Sequence, residues 1–343
     1  MPQIVLAIAA LSLLVIVHEA GHYLMARAFG IHVTRFSIGF GPVLLKYQSK
    51  GSSTVFQVCA IPFLAYVMYM DTADAADPND PNLYSNKSAW ARTLTVFGGP
   101  FANYLAASGL IFALALSGWR VDVPSEPMVV ASVETGSPAA QAGLRAGDII
   151  VQADGKSVRN VKDLIDVMSR RAGRATSCSV TRDGTLLAPL AITPRLQDGH
   201  GIIGVNPREE TQYRPLPVGD AATLAVALPW ALTIRNLEGM IDLIRHRSTE
   251  GVTGPVGMGK LVAEQADKGA YAFVWILVLI SVALGYFNLL PFPALDGGKL
   301  MFLGYEIITR RRPSQRIEAT IHAVGLLFLI GVIALATVHD VVG

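Results

Sequence analysis

Charge is scarce in this chain. Of its 343 residues only 16% are Asp, Glu, Lys or Arg, 52% are hydrophobic, and the net charge is +2. So little charge excludes an ordinary soluble surface, for which about a quarter of all residues are charged. So small a net charge, with no basic stripe interleaved with aromatics, excludes a nucleic-acid interface as well. Cysteine is nearly missing: there are two, Cys59 and Cys178. They lie far apart and, on the topology argued below, on opposite sides of a membrane, so no disulfide is expected. The N-terminal apolar run from Ile4 to Val17 has neither the basic n-region nor the small-residue cleavage site of a signal peptide. It leads directly into His18-Glu19-Ala20-Gly21-His22, and Pro2 to Ala28 is therefore read as a retained membrane helix.

Long hydrophobic runs are what the chain has in place of charge. Three more segments reach the roughly 20 apolar residues that a hydrocarbon core requires: Thr93 to Trp119, Ala270 to Leu295 and Ala319 to Val338. Four spans are thus expected. A fifth stretch, Ala221 to Ile234, is short and carries Pro229, and it reads as an amphipathic interfacial helix continuing to about Ile244. Lys299, Arg310, Arg311, Arg312 and Arg316 collect between the last two spans and mark that loop as cytoplasmic. Ile31 to Arg92 is then cytoplasmic too, and both termini and Val121 to Lys268 lie on the other side. The acidic run Asp71, Asp74, Asp77 and Asp80 reads as a solvated loop, since acidic residues weigh little in this rule.

Two segments break the helical pattern. Val43 to Tyr47 and Thr54 to Val58 flank Ser49-Lys50-Gly51-Ser52 and read as a β-hairpin dipping into the cytoplasmic leaflet. After the linker Asp122 to Pro127, a soluble region from Met128 to about Pro207 alternates β-rich runs with one helix. The runs are Met128 to Val133, Asp148 to Gln152, Thr176 to Arg182 and Leu187 to Ile192, and the helix is Val161 to Arg170. Gly147-Asp148-Ile149-Ile150, with the Asp154-Gly155 turn, resembles the PDZ domain of bacterial proteases. That resemblance implies capture of an extended peptide by strand addition.

The chemistry concentrates in two motifs. On a helix, His18 and His22 stand one turn apart on one face with Glu19 beside them, so two imidazoles can reach one metal ion next to a carboxylate. Ionisable groups within a span cost about 2.5–3.5 kcal/mol each at its centre, and metal ligation gives these a reason to be there. A third ligand is expected from Asp296, which follows Pro291 and Pro293 in Asn288-Leu289-Leu290-Pro291-Phe292-Pro293-Ala294-Leu295-Asp296. Two prolines prevent a regular helix, so Asp296 is expected on an extended segment.

These motifs resemble the two signatures of the site-2 protease family of intramembrane zinc metalloproteases, in its bacterial PDZ-containing, regulator-of-sigma-E-protease-like branch. Phe36 to Pro42, Gly98 to Asn103 and Thr253 to Gly257 extend the resemblance over nearly the whole chain, which has room for a single PDZ domain. The resemblance implies a polytopic α-helical membrane protein of about four spans, with a membrane-associated β-hairpin or sheet and an inserted extracytoplasmic PDZ (α+β) domain. It implies Zn2+ held by His18, His22 and Asp296, Glu19 as catalytic base, and Asn288, Asn103 and Tyr66 at the substrate or oxyanion. The implied substrates are single-pass membrane proteins such as anti-sigma factors or signal-peptide remnants, cut second in regulated intramembrane proteolysis at the bacterial inner membrane. Ile61-Pro62-Phe63-Leu64-Ala65-Tyr66-Val67-Met68 departs from the family's Gly-Gly-Tyr-Val-Lys after Ile-Pro, which bears on substrate gating. A scaffold with a vestigial metal site, or a metal transporter, are the rival readings.

The expected division is a first transmembrane helix over 1–30, a cytoplasmic-side β region and loop over 31–92, a second span over 93–119 and the PDZ domain over 120–210. An interfacial helix and Gly-Pro-Val-Gly segment follow over 211–269, then a third span over 270–298, a basic loop over 299–318, and the last span and C-terminus over 319–343.

Overall fold

The computed structural model describes residues 2–72, 75–197, 200–246 and 254–342, so Asp74 and Thr253 lie outside the described residues. The chain divides into two compact units, one of residues 1–116 and 216–343, the other of residues 117–215.

The first unit opens with helix α1 (Pro2–Ala28). Strands β1 (Val33–Tyr47) and β2 (Val55–Tyr69) follow, then helix α2 (Ala89–Gly118). The hairpin is three times longer than the two short runs expected from sequence, because each strand continues through a bend. Gly39 and Gly41 adopt φ of 79° and 91°, which glycine alone reaches without strain. Residues Arg35 to Ile38 consequently find partners on both sides, Val55 to Val58 and Ala65 to Met68. The result is a small curved sheet from two strands. Phe40, Leu44, Leu45 and Ile61 are exposed on it, while the side chains of residues 62–64 lie outside the described ones.

The second unit has β3 (Trp119–Pro124) near its start, which takes in the first half of the linker expected over Asp122 to Pro127, and β13 (Glu209–Arg214) near its end; the two pair along their whole length. Between them run β4 (Val130–Val133), α3 (Pro138–Gln141), β5 (Ile149–Ala153), β6 (Lys156–Ser157) and α4 (Val161–Arg170). Then come β7 (Thr176–Arg182), β8 (Thr185–Leu186), β9 (Leu190–Ile192), β10 (Arg195–Gln197), β11 (His200–Ile202) and β12 (Val205–Pro207). A sheet in the order β6-β5-β7-β8, with β9 also on β7, carries the core of Met128, Ile150, Leu164, Met168, Val180 and Ile192.

The first unit resumes with α5 (Val218–His246), α6 (Pro255–Asp267), α7 (Ala270–Leu289), α8 (Asp296–Thr309) and α9 (Gln315–Val342). Among the described residues, four stretches are long and apolar enough to cross a membrane: Gln3–Ala28, Ala89–Gly118, Ala270–Leu289 and Arg316–Val338. They coincide with the expected spans, and α5 is a continuous helix outside that set. The protein is a multi-pass membrane protein. Most of the basic loop expected over 299–318 is instead helix α8, since Leu300 to Thr309 holds no proline and tolerates its one glycine, Gly304, and Arg310 ends it in the left-handed region. Both cysteines are buried free thiols.

Candidate metal centre

The site begins with a close approach of two helix backbones. A Cβ on Gly21 would stand 2.1 Å from the carbonyl oxygen of Gly98, so only glycine lets α1 and α2 meet there. One residue on, a Cβ at Gly99 would lie 2.4 Å from Nε2 of His22 and 2.8 Å from Nε2 of His18. The pair Gly98-Gly99 therefore makes room for two imidazoles against the face of a neighbouring helix. Sequence reading recorded those glycines as part of a motif and missed this function.

The third member comes from the break between α7 and α8. Pro291 and Pro293 stop α7, the chain turns through residues 290–295, and Asp296 is the first residue of α8. The carboxylate is thus offered from a helix N-terminus, where the backbone amides favour negative charge, and not from the extended segment expected. The backbone folds over tightly here: a Cβ on Gly297 would meet the Leu290 carbonyl oxygen at 2.0 Å.

His18 Nε2 and His22 Nε2 each lie 3.1 Å from Oδ2 of Asp296 and 3.2 Å from each other. All three residues are buried, with 6–8% of their surface exposed. Ligands about 2.0–2.1 Å from a tetrahedral zinc ion stand about 3.3 Å from one another. The triangle has that size within about 0.2 Å, and two neutral imidazoles with one carboxylate are a donor set zinc accepts. The residues present fit the ion.

The outward atoms of the triangle are also engaged. His22 Nδ1–H donates to the carbonyl of Thr95 on α2 at 3.0 Å. His18 Nδ1 lies 3.1 Å from the carboxamide nitrogen of Asn103, whose Oδ1 is buried without a hydrogen-bond partner among the described residues. A half-turn of that amide satisfies both groups, with Oδ1 accepting from Nδ1–H, and leaves Nε2 of His18 free to ligate. Asn103 is fully buried and stands behind His18, away from the cavity, and its own carbonyl accepts from Ser281 on α7 at 2.9 Å. Lys299 places its ammonium 3.4 Å from Oδ1 of Asp296.

The triangle opens on a cavity of about 710 Å³. Glu19, Asn288 and Tyr66 line it together with the three residues of the triangle. No hydrogen bond ties the Glu19 carboxylate to another described residue. Asn288 donates to the Leu284 carbonyl of its own helix at 2.9 Å, and the Tyr66 hydroxyl lies 3.4 Å from the Gln57 amide nitrogen. Arg92, buried and also lining the cavity, pairs with Glu306 of α8, which Arg312 reaches at 3.1 Å.

Comparison with known proteins locates this arrangement. The sequence profile of Peptidase family M50 matches residues 6–332. Metalloprotease MmpA of Caulobacter vibrioides is 31% identical over 375 residues, with 96% of this chain and 93% of the relative covered. A chain of Nostoc sp. strain PCC 7120, provisionally named a zinc metalloprotease, is likewise 31% identical, over 96% of this chain and 93% of its own. Among solved structures, the PDZ domain of the SdrC-like protein of Listeria monocytogenes is 26% identical. It aligns with 25% of this chain and 93% of its own length, at a TM-score of 0.22.

Proposed function

The chain belongs to Peptidase family M50 and is a zinc metalloprotease of the site-2 type, and from that premise we propose that it cuts membrane-spanning segments of other proteins within the bilayer. His18, His22 and Asp296 hold the zinc, and Glu19 is the catalytic base. The observation that carries this reading is the buried triangle of 3.1–3.2 Å edges beside the Glu19 carboxylate, built from α1, which is long and apolar enough to span a membrane, and from the first residue of α8.

Zinc in the triangle supplies Lewis acidity, lowering the pKa of a water to about 7 and polarising the scissile carbonyl. The protein's own part is position and proton traffic. Glu19 takes the proton of the attacking water and returns it to the leaving nitrogen. The Asn288 carboxamide and the Tyr66 hydroxyl line the same cavity, where they hold an extended backbone or the developing oxyanion. A substrate helix must unwind to expose a peptide bond, and the β1–β2 sheet, with apolar side chains exposed to lipid, receives it as an added strand.

The substrates of this reading are single-pass membrane proteins already shortened outside the cytoplasm, such as anti-sigma factors or signal-peptide remnants, as the second cut of regulated intramembrane proteolysis. The location is the bacterial inner membrane. The basic residues Arg310, Arg311, Arg312 and Arg316 put the α8–α9 turn, the β1–β2 sheet and the mouth of the site on the cytoplasmic side, and residues 117–215 and both termini opposite. Residues 117–215 form a PDZ domain that binds a peptide tail or filters bulky substrates, a reading that rests on the Gly147 to Ile150 strand entry and the Asp154-Gly155 turn.

The test is Glu19→Gln in the purified chain, reconstituted with a single-span substrate. Cleavage is expected to fall about 10²–10⁴-fold with zinc content unchanged. Undiminished cleavage would overturn the assignment.

A further inference from the structure

The segment that delivers Asp296 has few ways to hold itself. Pro291 and Pro293 have no N–H; Phe292 donates to the Leu290 carbonyl at 2.7 Å and Leu295 to that of Phe292 at 3.2 Å. Ala294 donates outside the segment, to a side chain: its N–H meets Nδ1 of His322 on α9 at 2.9 Å. Ala294 also holds φ at +75°, a conformation that alanine reaches only under constraint.

The contact is part of a matched track. His322, Gly325 and Phe328 stand three residues apart on one face of α9 and meet Ala294, Pro293 and Phe292 in turn. A Cβ on Gly325 would lie 2.3 Å from Pro293 Cβ, and the rings of Phe328 and Phe292 are 5.7 Å apart. The acceptance at Nδ1 puts the imidazole proton on Nε2, which is buried and has no hydrogen-bond partner among the described residues. A buried N–H without an acceptor is a cost, and the histidine bears it in making one hydrogen bond. What the histidine provides is the acceptor for Ala294.

We infer that His322 is a positioning residue for the metal centre: by holding the Ala294 amide it fixes the left-handed turn that aims the Asp296 carboxylate at His18 and His22. The inference rests on the reading of Asp296 as a zinc ligand. It makes zinc affinity depend on the last helix, which contributes no ligand, and it assigns a role that neither catalytic motif contains.

Zinc affinity of the purified full-length chain in detergent, by chelator competition, and the visible spectrum of the cobalt-substituted protein test this. His322→Phe is expected to lower zinc affinity about tenfold or more and to alter the cobalt bands, while the melting temperature changes little, since the variant removes one unpaired N–H and leaves another. His322→Asn places an oxygen near the position of Nδ1 and should restore affinity to within about threefold. His322→Gln extends to the position of Nε2 and should not. Gly325→Ala, which forces α9 away from Pro293, should resemble His322→Phe. Asp296→Ala, measured alongside, separates the two claims. Retained zinc there would overturn the ligand assignment. Lost zinc there with unchanged affinity in His322→Phe, or rescue by Gln and not by Asn, would overturn the role of His322.

Discussion

The two units of this chain bury opposite things. In residues 117–215 the interior is apolar: Met128, Ile150, Met168, Val180 and Ile192 are fully or almost fully buried, and charge stays at the surface apart from a few anchored groups. In the other unit Leu326, Leu327, Leu335 and Val338 of α9 are at least half exposed, while His18, His22, Thr95, Asn103, Ser281 and Asp296 are buried. The first pattern is that of a water-soluble core. The second suits lipid, where apolar side chains gain nothing by turning inward and polar groups must find one another. The polar groups of the candidate site are therefore collected inside this unit, where His18, His22 and Asp296 face one another and Thr95, Asn103 and Lys299 engage their outer atoms.

A charge placed on the outside should break this contrast most strongly. Leu327 is 70% exposed at the midpoint of the Arg316–Val338 stretch. Leu327→Lys is expected to cost about 3 kcal/mol in membrane integration, read as the fraction of chain inserted in vesicles. Normal insertion would mean that this face of α9 meets water.

The inside can be loosened without touching a ligand. Asn103→Leu keeps the branched shape and removes the partner of His18 Nδ1, so zinc affinity should fall about 10–100-fold by chelator competition. Asn103→Asp, which retains an acceptor oxygen, should lose less. Equal losses would show that the amide fills space and does not orient the ring.

In the soluble-type unit the same experiment is electrostatic. Asp148 is fully buried, and burial alone would raise its carboxyl. Two bonds from the Arg182 guanidinium at 2.7 and 2.8 Å and one from the Arg145 amide at 2.8 Å outweigh that and hold it below the ordinary 3.8. A carboxyl depressed by folding contributes stability that is complete above its unfolded pKa and is lost as pH falls through the folded one. Hydrogen-exchange protection across residues 117–215 should then decline as pH drops below about 4, and Asp148→Asn should start lower and vary less over that range. A variant with the wild-type pH profile would remove Asp148 from the account.

Much of this was legible before any coordinates. Apolar runs fixed the four spans, because a hydrocarbon core sets a length that sequence displays directly. The one-turn spacing of His18 and His22 displayed a shared face, and the prolines ahead of Asp296 displayed a break. In residues 117–215, alternation located β4, β5, β7, β9 and α4 closely. What stayed hidden was long-range pairing, which leaves no periodic trace. Strand β3 was hidden between the expected end of the second span at Trp119 and the linker read over Asp122 to Pro127, because its partner, Glu209 to Arg214, lies far along the chain. The continuation of β1 through Gly39 and Gly41 was hidden by the glycines that allow it. Lys299 and the basic cluster at residues 310–316 suggested a loop, although the residues between them form α8. His322 is one polar residue in an apolar helix, and its partner is a backbone amide, which carries no sequence signature at all.

The smallest expected effect closes the contrast from the other side. Leu186 on β8 is 64% exposed, nearly as much as Leu327, and lies outside the buried core of its unit. If that exposure is to water, Leu186→Lys exchanges an apolar surface side chain for one that solvates well, and stability should change by no more than about 0.5 kcal/mol. The same substitution is costly at Leu327 because its surroundings there are hydrocarbon. Two leucines of similar exposure thus serve as probes of what each face meets. A large loss at Leu186, seen as hydrogen exchange spreading through residues 117–215, would mean that β8 is covered by something apolar and that this unit is not bounded by water on that side.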